Sequence, residues 1–335
     1  MRIVITDCDH DSVDVERAVA RDAGADLVLA RCRTEDDVVA AGADADALVV
    51  QYAPVTARVL DALPRVRVLS RYGVGVDTLD VPAATARGVA VCNVPDYGTE
   101  DVSDHAIALA LTLARGTARL DRAVRAGTHS LEHVKPLHRV ATRTFGVLGL
   151  GRIGAATARK AAGLGYAVVG ADPRAEPGTT TAQGVRVLGT EEVVASSDVL
   201  SLHLPLTAGT HHLIGEDLLA RARPGAVLVN TSRGGVVDTA ALVRALRSGR
   251  LAGAGLDVFE TEPLPRDSEL LQLEQVVLTP HAAWYSEESY AELKRRTVRN
   301  AVDVLAGDPP PDVLNPEALD PGAPGPGAPG ARVRR

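Results

Sequence analysis

The chain has 335 residues, of which 46% are hydrophobic and 24% are charged, and its formal net charge is -7. The length favours two domains over one, and the composition is typical of a globular protein with a sizeable core. The negative net charge argues against a broad surface for nucleic acid or anionic membrane, and no apolar run approaches the roughly 20 residues that span a bilayer.

Cysteine use indicates a reducing compartment. The three cysteines, Cys8, Cys32 and Cys92, are far apart and odd in number. Such a set favours buried, reduced thiols over a disulfide framework. The N-terminal stretch MRIVITDCDHD turns acidic after a few apolar residues, which is not the pattern of a signal peptide. We therefore expect a cytoplasmic protein.

Short apolar runs alternate with helical patterns through the first 95 residues. The apolar runs suit strands of a parallel sheet that is covered on both faces. Each helical pattern between them has a capping residue near its start or a Gly or Pro at its end. This alternation predicts a doubly wound α/β sheet. The predicted strands are RIVITDCD, ADLVLARC, ADALVVQY, VRVLSRYG and VAVCNVP.

A long helical pattern separates this series from a second βα series. The stretch TEDVSDHAIALALTLARGTARLDRAVRAG predicts one long helix or two, and its apolar stripe would suit a domain or subunit interface. A strong amphipathic helix with Ser286 as its N-cap follows the second series. The Pro- and Gly-rich end, residues 319–335, is predicted to be disordered. The second series predicts strands in TFGVLGLGRIG, YAVVGADP, DVLSLHLP, AVLVNTSRGG, AGAGLDVFE and QVVLTPHAA.

The stretch VLGLGRIG places Gly149, Gly151 and Gly154 in the G-x-G-x-x-G spacing between a predicted strand and a predicted helix. In that setting the spacing is typical of a loop that binds a dinucleotide pyrophosphate at a helix N-terminus. Asp172 follows the next strand, where a carboxylate accepts hydrogen bonds from the adenosine ribose and favours NAD over NADP, a preference that Arg174 weakens. The alternative is a plain glycine-rich turn followed by a capping aspartate.

Polar residues gather at predicted strand ends after the glycine loop, namely Arg233, Asp257, Glu262 and His281. In an open α/β sheet, the carboxyl ends of the strands form the edge where ligands bind. Histidine suits proton transfer near neutral pH, a neighbouring carboxylate orients it, and arginine binds a carboxylate and a developing alkoxide. Hydride transfer between nicotinamide and a 2-hydroxy acid needs these groups. Taken singly, they could be a surface-turn arginine, solvated loop acids and a hydrogen-bonded buried histidine.

These residues lie in stretches that resemble the D-isomer-specific 2-hydroxyacid dehydrogenase family. The resemblance runs from about residue 45 to residue 315. Within the family it is closest to the C-terminal-binding-protein branch and its phosphoglycerate dehydrogenase-like relatives. The stretches that carry it are RYGVGVDTLDV, VAVCNVPDYGTEDVSDHAIALAL, VLGLGRIG, HLPLTAGTHHLIG, GAVLVNTSRGGVVD, GAGLDVFETEPLP and TPHAAWYSEES.

The resemblance implies a role for each site residue. Arg233 would bind the substrate carboxylate and carbonyl, His281 would be the acid–base residue and Glu262 its partner. Trp284, the one tryptophan of the chain, would lie beside the substrate side chain. The substrate carboxylate would be bound by Arg71, Gly73, Val74 and Gly75. The implied NAD-binding residues are Gly149, Gly151, Arg152, Ile153, Gly154, Asp172, His203, Pro205, Thr231 and Asp257, the last facing the nicotinamide.

The implied fold has two doubly wound parallel-sheet domains, one Rossmann-like and one flavodoxin-like, with a cleft between them. The substrate-binding domain would be discontinuous, with residues 1–95 plus 287–318, and the NAD-binding domain would be 96–286. The helical region 99–126 would form a homodimer interface.

The resulting prediction is an NAD-dependent enzyme that interconverts a D-2-hydroxy acid and its 2-oxo acid, with no direct nucleic-acid or membrane partner. One alternative is a dehydrogenase for 3-phosphoglycerate or a phosphonate-containing acid, which the apolar Val74 and Val76 after Arg71 disfavour. The other is an NAD(H)-sensing, corepressor-like binding protein.

Three spaced histidines precede the glycine loop and raise the question of a metal site. No carboxylate or cysteine arrangement completes a ligand set around them, so a solvated loop and no metal are predicted. The three residues are His129, His133 and His138.

Overall fold

The structure is a computed structural model that describes residues 1–320. The tail predicted for residues 319–335 lies, from residue 321 onward, outside the described residues. The chain forms two compact units. Unit 1 comprises Met1–Tyr97 and the chain from Ser286, and unit 2 comprises Gly98–Tyr285.

Strands and helices alternate along residues 1–320. The strands are β1 (Arg2–Ile5), β2 (Asp26–Leu29), β3 (Ala47–Val50), β4 (Val68–Arg71), β5 (Ala90–Cys92), β6 (Thr144–Leu148), β7 (Ala167–Ala171), β8 (Arg186–Val187), β9 (Val199–Leu202), β10 (Ala226–Asn230), β11 (Leu251–Leu256) and β12 (Val276–Leu278). The helices are α1 (Asp14–Asp22), α2 (Glu35–Gly42), α3 (Ala57–Ala62), α4 (Val81–Thr85), α5 (Thr99–Arg115), α6 (Thr117–Arg125), α7 (Arg152–Gly163), α8 (Thr190–Ser196), α9 (Glu216–Arg221), α10 (Thr239–Arg247) and α11 (Glu287–Ala306).

The sheet of unit 1 has the strand order β2-β1-β3-β4-β5, and all its pairs are parallel. This is the order of a flavodoxin-like doubly wound sheet, which confirms the predicted α/β class. All four residues of β3 are buried, as expected for a strand covered on both faces. On one face, α11 packs against β3, β4 and β5 and also contacts α1.

The sheet of unit 2 has the order β12-β11-β10-β9-β6-β7-β8, and it is also entirely parallel. The direction of winding reverses between β6 and β9. In open α/β sheets, ligands bind at the carboxyl ends of the strands that flank such a reversal. The two-residue strand β8 was not predicted from the sequence.

The helical region after residue 98 consists of two helices, since Gly116 adopts φ +64° and ends α5. The buried face of α5 packs against α7, β10 and β11 of its own unit, so its apolar stripe is used inside unit 2. By contrast, α6 contains no buried residue. Among residues 1–320, no helix is long and apolar enough to cross a membrane.

The start of α11 follows the predicted capping chemistry. The Ser286 hydroxyl accepts a hydrogen bond from the Ser289 backbone N–H, and the Ser289 side chain accepts one from Ser286 in return. Glu287 and Glu288 lie in the first turn, where negative charge is favoured by the helix dipole. This helix therefore begins at the residue that the sequence predicts.

Candidate functional site

The glycine-rich loop connects β6 to α7, and two of its glycines are required by the fold itself. Gly149 has φ +90°, and a Cβ there would lie 2.3 Å from the His203 carbonyl oxygen. A Cβ at Gly154 would lie 1.9 Å from the Gly149 carbonyl oxygen. Backbone atoms cannot yield to a side chain at these distances, so both positions exclude every other residue.

Gly151 differs from the other two glycines of the loop. A Cβ at this position would meet, among the described residues, only the guanidinium of Arg174, at 3.8 Å. Gly151 is the N-cap of α7, and Arg152 and Ile153 form the first turn, whose backbone N–H groups have no partner within the helix. Open space beside a helix N-terminus suits the close approach of a phosphate group.

Asp172 lies directly after β7, beside the glycine loop. Its Oδ2 accepts a hydrogen bond from the Leu150 N–H at 2.8 Å. Its Oδ1 accepts hydrogen bonds from the backbone N–H and the Nε of Arg174 at 2.9 and 3.0 Å. The Arg174 guanidinium is the main reason that the pKa of Asp172 falls to about 2. The carboxylate is therefore ionised at physiological pH.

Other predicted cofactor residues follow β9 and β10. Burial lowers the pKa of His203 to about 4, so this imidazole is neutral near pH 7. Its Nε2 is 2.9 Å from the Ser201 hydroxyl. Pro205 is exposed. The hydroxyl of Thr231 is buried and has no hydrogen-bond partner within residues 1–320, as expected of a group that awaits a ligand.

The open space at Gly151, the ionised Asp172 and the unsatisfied Thr231 hydroxyl together fit a dinucleotide along the carboxyl edge of the unit 2 sheet. The first would accommodate phosphate, the second would accept hydrogen bonds from ribose, and the third would offer a polar contact.

His281 and Glu262 form a directly hydrogen-bonded pair in unit 2. The His281 Nδ1 is 2.7 Å from the Glu262 Oε2, and the Glu262 Oε1 accepts a hydrogen bond from the Phe259 N–H. Burial alone would raise the pKa of Glu262. The hydrogen bonds from His281 and Phe259 and the charge of Arg233 together lower this pKa by more, so the net shift is downward. An ionised Glu262 fixes the proton of His281 on Nδ1 and leaves Nε2 to exchange protons with a substrate.

Arg233 belongs to the same cluster. The turn that carries Arg233 packs closely against the segment that leads to Glu262. A Cβ at Gly234, the next residue, would lie only 1.8 Å from the Phe259 carbonyl carbon. The Arg233 Nη1 donates a hydrogen bond to the Ser232 carbonyl at 2.8 Å. The structure thus brings Arg233, Glu262 and His281 together, although they are far apart in sequence.

Asp257 is buried beneath this cluster, with 1% of its surface exposed. Its carboxylate accepts hydrogen bonds from the Ala282 and Ala283 N–H groups at 2.9 and 3.0 Å, and its carbonyl accepts one from the His281 N–H at 2.7 Å. His281 has φ +54°, a left-handed conformation that non-glycine residues rarely adopt. Asp257 therefore stabilises the turn that carries the catalytic candidate, a contact that the sequence does not reveal.

Two residues of this region, His105 and Thr279, were not predicted from the sequence. His105 of α5 places its Nε2 2.9 Å from the Thr279 hydroxyl, which in turn lies 2.6 Å from the Asp257 Oδ1. The available signal was a single histidine within the apolar stretch HAIALAL of a helix. Neither its contact with a segment 174 residues away nor the role of Thr279 follows from that pattern.

The predicted carboxylate loop lies in unit 1, after β4. The carbonyl oxygens of Gly73 and Val74 accept hydrogen bonds from the Val94 N–H and the Asn93 side chain. Gly73 has φ +116°, and a Cβ there would lie 2.1 Å from the Arg71 guanidinium. The guanidinium therefore covers Gly73. The loop is thus held through its carbonyl groups.

Trp284 is half-buried in unit 2. Its backbone lies against Gly98, where a Cβ would be 3.5 Å from the Trp284 carbonyl oxygen. Its ring packs edge-on against Tyr285 with 5.7 Å between centroids.

The three spaced histidines before the glycine loop are exposed. Within residues 1–320 no group of three or more His, Cys, Asp or Glu side chains could hold a metal ion.

Comparison with known proteins identifies a family whose model matches more than half of the chain. The model, described as D-isomer specific 2-hydroxyacid dehydrogenase, NAD binding domain, matches residues 107–283. That range contains the glycine loop and the Arg233, Glu262 and His281 cluster.

Similar proteins extend the match beyond that domain. A glyoxylate reductase from Korarchaeum cryptofilum is 44% identical over 276 residues, covering 81% of this chain and 83% of the relative. A D-3-phosphoglycerate dehydrogenase from Mycobacterium tuberculosis is 40% identical over 281 residues, covering 84% of this chain but 53% of that protein. This chain therefore spans about half the length of the mycobacterial relative.

Among solved structures, the D-lactate dehydrogenase of Aquifex aeolicus, in complex with NAD and lactic acid, superposes with a TM-score of 0.82 at 27% identity. The match covers 94% of this chain and 99% of that structure.

Proposed function

The chain belongs to the D-isomer specific 2-hydroxyacid dehydrogenase family, and we propose that its reaction is the NAD-dependent interconversion of a small D-2-hydroxy acid and its 2-oxo acid. The observation that carries the proposal is the cluster of His281, Glu262 and Arg233, in which the imidazole is hydrogen-bonded to the carboxylate at 2.7 Å. It supplies an oriented acid–base group and a cation for a substrate carboxylate.

In the reductive direction, one 2-oxo acid, one hydride and one proton give one 2-hydroxy acid. NADH, held by the glycine loop and Asp172, would supply the hydride. The Nε2 of His281 gives its proton to the carbonyl oxygen of the substrate as that oxygen gains charge. Glu262 accepts the hydrogen bond from Nδ1 and stabilises the protonated imidazole before transfer. Arg233 binds the substrate and stabilises negative charge on its oxygens.

For unit 1 we propose that the loop from Arg71 to Gly75 binds a carboxylate. Its carbonyl groups at Gly73 and Val74 are engaged by residues 93 and 94. This arrangement supports a loop whose backbone N–H groups serve an anion, with the Arg71 guanidinium beside it.

We propose glyoxylate and similarly small 2-oxo acids as substrates, because the glyoxylate reductase from Korarchaeum cryptofilum is 44% identical to this chain. The test is NADH oxidation by the purified protein with glyoxylate, pyruvate, phenylpyruvate and phosphohydroxypyruvate. The highest kcat/KM with glyoxylate or pyruvate supports the proposal. Preference for phosphohydroxypyruvate would instead favour the phosphoglycerate-type alternative. Tight NADH binding with no turnover of any acid would favour a sensor.

We further propose a homodimer in the cytoplasm. Within the predicted interface region 99–126, α6 buries none of its residues against the rest of residues 1–320, which leaves it available to a second copy. The three free cysteines support the cytoplasmic location. Burial raises the pKa of Cys32 to about 11 and that of Cys92 to about 12, which keeps both thiols unreactive. A single species at the mass of one chain in light scattering would rule out the dimer.

Replacing Asp172 by alanine is expected to raise the KM for NADH about 10- to 100-fold, since a hydrogen bond to a charged group contributes about 1.5–3 kcal/mol. The KM for NADPH should fall, because the substitution frees Arg174 to bind the 2′-phosphate. Because the pKa of Asp172 is about 2, this carboxylate stays ionised from pH 5 to pH 8, and its titration should not change the affinity of the unmodified protein for NADH over that range. Arg174→Ala is the matched control and should sharpen the preference for NADH. An unchanged NADH/NADPH ratio in Asp172→Ala would assign ribose recognition to another residue.

A further inference from the structure

A chain of hydrogen bonds leads from α5 to the turn that carries His281. His105 contacts Thr279 at 2.9 Å, and Thr279 contacts the carboxylate of Asp257 at 2.6 Å. The same carboxylate accepts the N–H groups of Ala282 and Ala283. All of these residues belong to unit 2, so the chain of contacts lies within one compact body.

The donors and acceptors in this chain can be assigned by counting hydrogens. An ionised carboxylate only accepts hydrogen bonds, so Thr279 uses its single hydroxyl hydrogen on Asp257. The Thr279 oxygen must then be the acceptor for His105, which requires a hydrogen on the His105 Nε2. That hydrogen is present in the neutral Nε2–H tautomer and also in the protonated imidazolium. The order is therefore His105 to Thr279 to Asp257, whatever the charge of His105.

The Asp257 carboxylate, at the end of this chain of hydrogen bonds, holds two backbone groups at once. It must stay in one orientation to bind two successive backbone N–H groups, those of Ala282 and Ala283. Those bonds close a turn in which His281 has φ +54°. A left-handed conformation at a non-glycine residue persists only when its surroundings enforce it. Thr279 fixes the carboxylate, and His105 fixes the rotamer of Thr279.

We infer that His105 is a positioning residue for the acid–base histidine, acting through Thr279 and Asp257 on the turn that holds His281. The inference rests on the proposed function, because it takes His281 as the proton carrier. His105 itself does not touch the reacting atoms. Its loss should leave the cofactor loop intact and misplace the imidazole, and even a displacement of about 1 Å can cost roughly 10²-fold in rate.

The first part of the test compares two substitutions at His105. His105→Leu removes the donor at similar volume, whereas His105→Gln retains an amide N–H at the position of Nε2. We expect His105→Leu to lower kcat with glyoxylate about tenfold or more and to leave the KM for NADH within about twofold. His105→Gln should retain kcat within about threefold. His138→Leu, in the exposed loop, is the matched control and should behave as the unmodified protein.

The second part is a double-mutant cycle with Thr279. Thr279→Val removes the hydroxyl at constant shape, and Thr279→Ser restores it. If the three residues act in series, the double variant His105→Leu/Thr279→Val should lose no more activity than Thr279→Val alone. Hydrogen–deuterium exchange of the peptide spanning residues 279–285 should be several-fold faster in both single variants, a readout that needs no substrate.

Several results would overturn the inference. They are a kcat of His105→Leu equal to that of the unmodified protein, a His105→Gln variant as impaired as His105→Leu, or losses that multiply in the double variant. If His105→Leu fails to fold, the Thr279→Val and Thr279→Ser pair decides in the same way. The unmodified protein and His281→Asn separate the proposed function from the inference. No turnover of any 2-oxo acid by the unmodified protein would defeat the proposed function, whereas loss of turnover in His281→Asn with full turnover in His105→Leu defeats only the inference.

Discussion

Replacing His281 by asparagine is expected to lower kcat about 10²- to 10⁴-fold, the usual contribution of a positioned general acid–base group. Asparagine is preferred to alanine because it tolerates the left-handed backbone of this position, where φ is +54°. The Kd for NADH should stay within about twofold, since the glycine loop and Asp172 do not contact His281. Turnover is measured by NADH oxidation and binding by fluorescence titration.

Glu262→Gln is the companion of this variant. The amide oxygen can still accept the Nδ1 hydrogen, but the negative charge that stabilises the imidazolium is lost. A smaller loss, of about tenfold in kcat, is therefore expected.

Turnover of His281→Asn within threefold of the unmodified protein would remove His281 from the proton-transfer role.

Replacing Arg233 by alanine is expected to lower kcat/KM about 10²- to 10³-fold, comparable to the loss of a charge-stabilising donor in other active sites. Both KM for the 2-oxo acid and kcat should suffer, because the guanidinium would bind the ground-state carboxylate and stabilise charge that develops in the transition state. Arg233→Lys keeps the charge without the planar fork and should recover only part of the activity. An unaltered kcat/KM in Arg233→Ala would contradict the assigned role.

The same variant has a consequence for pH dependence. The charge of Arg233 contributes to the lowered pKa of Glu262, so its removal raises that pKa. An ionised Glu262 accepts the hydrogen bond from the His281 Nδ1 and stabilises the imidazolium, so activity falls as pH drops through the pKa of Glu262. The acid limb of the residual activity should therefore move to higher pH in Arg233→Ala. A limb at the unmodified position would mean that the two side chains do not interact.

Local rules were sufficient for much of the fold and for part of the site. A glycine-rich turn at Gly149, Gly151 and Gly154 between a strand and a helix was predicted because each requirement lies within a few residues of the next. The nucleotide-binding role of this turn stays a prediction. The start of α11 at Ser286 was predicted for the same reason, since capping is a local hydrogen-bond pattern. The two parallel α/β sheets followed from the alternation of apolar runs with helical patterns.

Features that depend on distant contacts were not accessible in this way. The strand β8 is two residues long and exists because it pairs with β7. The apolar stripe of α5 suits a domain or subunit interface by its pattern, and in unit 2 it packs against neighbouring elements of the same unit. The homodimer interface through residues 99–126 stays a prediction. His105 and Thr279 are brought together by tertiary packing across 174 residues of sequence, and no periodicity encodes such a pair.

The three glycines of the glycine-rich loop meet different steric requirements. Gly149 and Gly154 are required by the folded chain, because any side chain there would collide with backbone. At Gly151 a Cβ would meet, among residues 1–320, only the Arg174 guanidinium, 3.8 Å away, so the fold itself leaves room for a side chain there. A side chain at position 151 would therefore leave the backbone of the loop undisturbed and fill the space beside the N-terminus of α7. Substitution there should weaken nucleotide binding more than it weakens folding.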